Sequence, residues 1–374
     1  MLDVQKAFDS VDHEMLCEKI KLAGIDPEWF RSYLHGRKQC VAVSNNVSSE
    51  QTIKCGVPQG SILGPWCYLM FSNDISSSVS CKLIMYADDT VLLVSGKDVK
   101  SVASELSVEV GNCYHWLTNN RLSMHMGKTE AMVFVSKRKK HLINDFVIKY
   151  QGHNIQASDK IKYLGLYLDP YLSCEHVVNS IVSKCNSRLK FMYRYSKALN
   201  ERSRKLITSA LIQCHFDYAA SAWYMGLNQS LKHRLQVAQN KMVRFILDMG
   251  PREHVGQAEL NQAGMLKTGD RVKQLMLNHM HSVYNNSAPG YLYDHFTRVQ
   301  DQHQYETRNA ASNFVVPKIQ GVAKNNFNYW GVKFWSELPT QIKGILNRQS
   351  YKNAVKEFLK NRAINMEQSS VIYY

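Results

Sequence analysis

The stretch 82-KLIMYADDTVLLV-94 places two adjacent acids, Asp88 and Asp89, between two apolar runs. Runs of this length around a short polar break predict a β-hairpin with the acids at its tip. Two like charges there repel, and keeping both ionised at a half-buried turn requires compensation from solvent or from bound cations. Taken alone, such a turn is more often a solvated hairpin tip. Its neighbours in the chain decide between the two.

Upstream, "MLDVQKAFDSVD" (1–12) opens with a short apolar strand that carries a third acid, Asp3. Residues 12–22 have helical apolar spacing and stop at Gly24. A second helix follows in "GIDPEWFRSYLHG" (24–36), where Asp26 can cap, Pro27 suits the first turn and Gly36 ends it. "QCVAVSN" (39–45) and "QTIKCGV" (51–57) predict strands around a polar turn. "PQGSILGP" (58–65) then breaks the chain before an apolar helix, "WCYLMFSNDI" (66–75). Downstream of the hairpin, residues 100–119 predict an amphipathic helix and "AMVFVSK" (131–137) a short strand. "KRKK" (137–140) reads as a loop, either solvated or a nuclear address. "HNIQ" (153–156) and "IKYLGLYLD" (161–169) predict a further hairpin. From about residue 175 the pattern turns helical and basic, as in "SLKHRLQVAQNKMVRFIL" (230–247), so the first boundary falls near residue 172.

Charge follows the same division. The chain of 374 residues has 46 Lys and Arg against 31 Asp and Glu, a net +15; residues 1–150 carry 17 against 16 and residues 151–374 carry 29 against 15. A near-neutral first part with a basic second part suggests chemistry in one and grip on a polyanion in the other, the plain alternative being a solvated basic surface. The nine cysteines are scattered without CxxC or knuckle spacing, which argues against a disulfide framework or zinc cluster. With no signal-peptide pattern and no long apolar run, the expected place is intracellular, nucleus or cytoplasm, without a membrane partner.

Three carboxylates converging from neighbouring strand ends, Asp3, Asp88 and Asp89, could hold two Mg²⁺ ions about 4 Å apart, an arrangement suited to phosphoryl transfer. Oxygen ligands without His or Cys favour Mg²⁺ or Mn²⁺ over zinc. Here the residues meet a known pattern. "LDVQKAFDSVDH", "GVPQGSILGP", "YADD", "LSMHMGKTEAMVF" and "KYLGLYLD" stand in the order and spacing of palm motifs A to E of reverse transcriptases. The chain resembles the non-LTR (LINE-type) branch, of the jockey or chicken-repeat kind. A looser likeness continues through "LIQCHFDYAASAWY", "LQVAQNKMVRFI", "TRNAASNFVVPK" and "FNYWGVKFWSELP".

The resemblance implies an α+β right-hand polymerase palm without fingers over 1–172, an antiparallel sheet packed on helices. It further implies a mainly helical thumb over 173–250 and a mostly helical C-terminal region over 251–374. It implies metal binding by Asp3, Asp88, Asp89 and the Val4 backbone carbonyl. Phe8 matches the aromatic gate against a ribose 2′-hydroxyl, and Gln59 and Gly60 match residues that position template and incoming base. Lys128 matches the motif D lysine, a candidate general acid for departing pyrophosphate. Tyr163, Leu164 and Gly165 match the primer grip. The implied partners are an RNA template, a DNA primer and deoxynucleoside triphosphates. Asp12 reads as a helix cap, and Asp9 as support for its turn rather than a catalytic group.

The similarity begins two residues before Asp3, so fingers and an upstream endonuclease are not represented. The expectation is a truncated piece of a polyprotein with little or no polymerase activity on its own. The rival readings are a non-catalytic nucleic-acid-binding remnant and a group II intron maturase-like protein, which shares YADD.

Overall fold

In the computed structural model, which describes residues 1–301 and 312–371, the first residues alternate: Leu2 and Val4 are buried while Asp3 between them is half-exposed. That period of two marks a strand with one face on a core. The strand is β1 (Val4–Gln5), followed by a single 3₁₀ turn at Ala7–Asp9. Helix α1 (His13–Leu22) starts where expected, because the Asp12 carboxylate accepts the Met15 N–H at 3.0 Å. Helix α2 (Glu28–Leu34) follows, with Asp26 accepting the Glu28 N–H at 3.1 Å and Gly36 turning the chain at φ +67°.

The two strands expected over 39–57 are each broken. β2 (Lys38–Gln39) pairs with β5 (Gln51–Thr52), and β3 (Ala42–Val43) pairs with β4 (Asn46–Val47). Between the pairs, the Ser48 hydroxyl takes the Val41 N–H at 2.9 Å, so a local side-chain bond replaces a ladder bond. These strands are exposed on both faces, and no core holds them flat. Helix α3 (Leu63–Ser72) starts three residues earlier than expected, its Gly64 N–H bonded to the Ser61 hydroxyl at 2.9 Å, and runs into a 3₁₀ stretch, Asn73–Ser78.

The acidic hairpin forms as read: β6 (Lys82–Tyr86) pairs antiparallel with β7 (Asp89–Leu93), Tyr86 opposite Asp89. Helix α4 (Val99–Asn119) is capped by Asp98 on the Ser101 N–H at 2.8 Å. β8 (Ser123–Met124) pairs with β1, and Leu2, two residues before β1, forms an isolated bridge to Thr90 of β7 that links this pair to the hairpin in a small local sheet. The buried face of this sheet (Leu2, Val4, Leu92, Met124) packs with Tyr68 and Phe71 of α3 and Val110, Cys113 and Leu117 of α4 in one core. Each large side chain so buried contributes about 1.5–3 kcal/mol. The polar face is left to the acids.

Three expectations for residues 131–169 are corrected. "AMVFVSK" is not a strand beyond an isolated bridge from Ala131 to Ala157. Its residues Val133–Val135 stand off from Leu92–Val94 across a cavity of about 470 Å³ instead of pairing there. "KRKK" begins a 3₁₀ stretch, Lys137–Asp145, rather than a loop. "HNIQ" does not pair with "IKYLGLYLD": β9 (Val147–Tyr150) pairs with β10 (His153–Gln156), and β11 (Ile161–Tyr163) pairs with β12 (Leu166–Leu168). Each hairpin has its own two-residue turn with both φ positive, Gln151-Gly152 at +46° and +76° and Leu164-Gly165 at +44° and +80°. Such turns match the right-handed twist of paired strands.

The chain divides into two units, Met1–Tyr171 and Leu172 onward. The second contains α5 (Glu175–Tyr193), α6 (Glu201–Thr208), a π-helical turn at Ser209–Gln213, α7 (Cys214–Asp217), α8 (Ala220–Trp223) and α9 (Gln229–Leu247). It continues through α10 (Gln257–Gln262), α11 (Thr268–Tyr284), α12 (Gly290–Tyr293), α13 (Phe327–Ser336), α14 (Thr340–Lys343) and α15 (Arg348–Val371). α5 lies on α9, and α11 packs on α13 and α15. The fully buried Tyr351 on α15 gives its hydroxyl to the Leu277 carbonyl of α11 at 3.0 Å. Residues 307–311 of the stretch "TRNAASNFVVPK" lie outside the described residues. Among the described residues no helix is long and apolar enough to cross a membrane.

Candidate active site

The Leu2–Thr90 bridge fixes the register of the acids. With Leu2 opposite Thr90 in an antiparallel pair, Asp3 falls opposite Asp89 and Val4 level with Asp88. Leu2 and Thr90 are both buried, so Asp3 and Asp89 share the other, open face. Opposed side chains on one face have Cβ atoms about 4.5–5.5 Å apart. The Asp3 carbonyl accepts the His125 N–H of the β8 side at 2.8 Å. Successive carbonyls of a strand point to opposite edges, so that of Val4 points to the edge beside Asp88.

The electrostatics agree with this placement. Burial, then the charge of Asp88, then that of Asp3, raise the pKa of the Asp89 carboxyl above its usual value. In the metal-free chain a proton on Asp89 therefore favours the fold. That contribution is present below the ordinary carboxylate pKa and is lost as pH rises through the raised one. Burial and the Asp88 charge likewise push the Tyr68 hydroxyl of α3 up, and burial and the Asp89 charge do the same to Tyr163 at the end of β11. The charges of the acids thus act on two tyrosines from different elements. Ala87, the first turn residue, is held at φ +54°, a left-handed conformation that non-glycine residues adopt under constraint.

The loop over 56–65 is sewn to the turn that follows β1. Val57 N–H donates to the Phe8 carbonyl at 2.8 Å and Gly56 N–H to the Val11 carbonyl at 2.7 Å. Gln59 Nε2 donates to Asp9 Oδ1 at 2.8 Å. Phe8 is half-buried and stacks on Tyr68 with ring centroids 4.7 Å apart, which ties it to the side chain that feels Asp88. Gly60 has φ +77° with open space where a Cβ would stand.

Of the residues expected in the site, Asp3, Val4, Asp88, Asp89, Phe8 and Tyr163 are brought together by these links. Leu164 and Gly165 form the turn just beyond Tyr163. Gln59 and Gly60 are carried on the stitched loop. Lys128 is exposed, and its side chain makes no ion pair with the acids; it is linked to them only through backbone, its N–H on the His125 carbonyl. Sequence reasoning missed Tyr68, whose signal was a hydroxyl-bearing aromatic in an otherwise apolar helix, and the Asp9–Gln59 bond.

Among the described residues, no three His, Cys, Asp or Glu side chains form a ready-made metal cluster. Asp3 and Asp89 lie on an open face, and Asp88 is exposed at the adjoining hairpin tip. Mg²⁺ fits such a donor set, because it keeps several waters and takes one or two carboxylates together with substrate phosphates.

A family model described as reverse transcriptase (RNA-dependent DNA polymerase) matches residues 1–168. The chain is 27% identical over 260 residues to the probable RNA-directed DNA polymerase from transposon BS of Drosophila melanogaster, covering 66% of this chain and 28% of that protein. The probable RNA-directed DNA polymerase from transposon X-element of the same organism is 27% identical over 255 residues, with the same coverage. The RNA-directed DNA polymerase from mobile element jockey of Drosophila funebris is 27% identical over 260 residues, again 66% and 28%. The chain thus spans a little over a quarter of the length of these relatives. The motif order and the three acids agree with these similarities: residues 1–168 match the reverse transcriptase family model, and the relatives are RNA-directed DNA polymerases of Drosophila transposons and mobile elements.

Proposed function

We propose that the chain carries the palm and thumb of an RNA-directed DNA polymerase, which adds deoxynucleotides to the 3′-hydroxyl of a primer opposite an RNA template. The observation that carries this reading is the bridge between Leu2 and Thr90, which brings the strand end bearing Asp3 beside the hairpin tip bearing Asp88 and Asp89, so that both other charges act on the Asp89 carboxyl. Their mutual repulsion is what a bound divalent cation would relieve. Asp3, Asp88, Asp89 and the Val4 carbonyl would hold Mg²⁺, as two ions, or Mn²⁺. When bound, the metal lowers the pKa of the attacking hydroxyl and neutralises charge on the transferred phosphoryl group.

The protein's own residues position the reactants. Phe8, braced by Tyr68, presents an apolar edge that excludes a ribose 2′-hydroxyl. The Gln59–Gly60 loop, with Gln59 fixed by Asp9, lies against template and incoming base. The Tyr163-Leu164-Gly165 turn holds the primer end near Asp89. Lys128 offers an uncommitted ammonium to the departing pyrophosphate. The basic helices of the second unit grip the hybrid through phosphates.

The test is single-nucleotide incorporation on a DNA primer annealed to RNA, at excess protein and with Mg²⁺. The expected result is slow, template-directed addition that falls by about 100-fold or more in Asp88→Asn. Hybrid binding without any template-directed addition would favour a non-catalytic nucleic-acid-binding role instead. Addition that survives in Asp88→Asn would overturn the proposal.

A further inference from the structure

Within the helical unit, a polar cavity of about 320 Å³ is lined by Lys205 of α6, Gln213 of the π-helical turn, Asp217 of α7, Gly264, Arg271 of α11 and Lys356 of α15 among others. Three cations and one carboxylate line it, an excess of two positive charges. Just outside, Lys360 and Glu357 pair with each other at 2.8 Å and leave that balance unchanged.

The partners are unevenly distributed. Arg271 is committed: it binds Asp217 through two parallel bonds of 3.1 and 2.7 Å and the Gln274 amide oxygen at 2.7 Å. Asp217 is saturated as well, since it also accepts Gln213 Nε2 at 2.8 Å. Lys356 Nζ donates to the Gly264 carbonyl at 2.8 Å. Lys205 lies against the same glycine, where an added Cβ would overlap its ammonium, and its side chain makes no hydrogen bond or ion pair among the described residues. Two ammonium groups therefore meet at one backbone position, and one of them has nothing to neutralise it. A half-buried cation in that state costs free energy unless an anion joins it. Burial, with Lys360, Lys205 and Arg271 nearby, pushes the Lys356 pKa down, as unrelieved positive potential requires.

The charge balance narrows the ligand. An excess of two positive charges matches the dianion of a phosphate group, whereas a single halide would leave half of it uncompensated. The π-helical turn that carries Gln213 is a form found often at functional sites.

We infer that this cavity is a phosphate-binding site, with Lys205 as its main charge contact. The site is built entirely from the second unit and does not rest on the polymerase reading. It stands or falls separately from the acids.

The test uses the full chain and inorganic phosphate, titrated against KCl of matched ionic strength, read by thermal melting and calorimetry. Phosphate raises Tm in the wild type beyond the KCl control. Lys205→Met loses that shift and weakens binding by about tenfold or more, as expected for losing a charge-assisted bond. Without phosphate, Lys205→Met melts at the same temperature or higher, because no bond is lost and a repulsion is removed. Lys205→Gln serves if the Met variant does not fold, and Arg202→Met, at an exposed position outside the cavity, keeps the phosphate response. Displacement of phosphate by a short RNA assigns the site to backbone phosphates, and failure to displace assigns it to a free phosphate compound. No phosphate-specific shift in the wild type, or an undiminished shift in the Lys205 variants, overturns the inference.

Discussion

At Gly56 the backbone has φ +91°, and a Cβ there would lie 2.6 Å from the Asp9 carbonyl oxygen and 2.8 Å from its Cα. Neither the conformation nor the space admits a side chain, and the atoms in the way are backbone. Gly56→Ala is expected to cost about 2–4 kcal/mol by denaturant unfolding, from strain and overpacking together. Gly60→Ala, at φ +77° but facing open space, should cost about 1 kcal/mol. Equal losses at the two sites would show that the close approach of the loop to Asp9 is not what requires Gly56. The acids and Phe8 were legible because motif spacing names them one by one. Tyr68 and the Asp9–Gln59 bond were not, since each depends on a contact between distant parts of the sequence, and a hydroxyl on one aromatic of an apolar helix does not say what it meets.

Helix α1 shows how a local signal can carry a longer connection. Burial pushes the Asp12 carboxyl up, but the Met15 N–H and Arg121 prevail and hold it below its usual value. Asp12 caps α1, and Arg121 follows the C-terminal end of α4, so one carboxylate serves both. The Arg121 side chain is 70% exposed, whereas that of Asp12 is 18%. Asp12→Ala is expected to cost about 1–2 kcal/mol through the lost cap, and Arg121→Met no more than about 0.5 kcal/mol, as for a solvated ion pair. Urea unfolding of the two variants checks the ranking, and an Arg121 loss as large as that of Asp12 would contradict it. Elements with caps, such as α1 and α4, were readable within a residue or two. The strands over 39–57 and 131–169 were less so. Their two- to four-residue ladders depend on which segment lies alongside, and the local clue to two separate hairpins is confined to the X-Gly turns at 151–152 and 164–165.

For the molecule as a whole, composition divides the chain into a near-neutral part and a basic part, and the fold divides it into a mixed α/β unit and a helical one, with the change at Tyr171. The two divisions fall about 20 residues apart. The first unit is assigned the chemistry and the second the grip on phosphate, and the central claim is that Asp3, Asp88 and Asp89 make one divalent-metal site. Mn²⁺ binding to the full chain, followed by water-proton relaxation at neutral pH, tests it most directly. Saturable binding that Mg²⁺ displaces is expected, and Asp3→Asn and Asp89→Asn should each weaken it by about tenfold or more. Asp89→Asn should also raise the stability of the metal-free chain at that pH, because the repelled charge is gone. Binding left unchanged in both variants would contradict a metal site made by these three carboxylates.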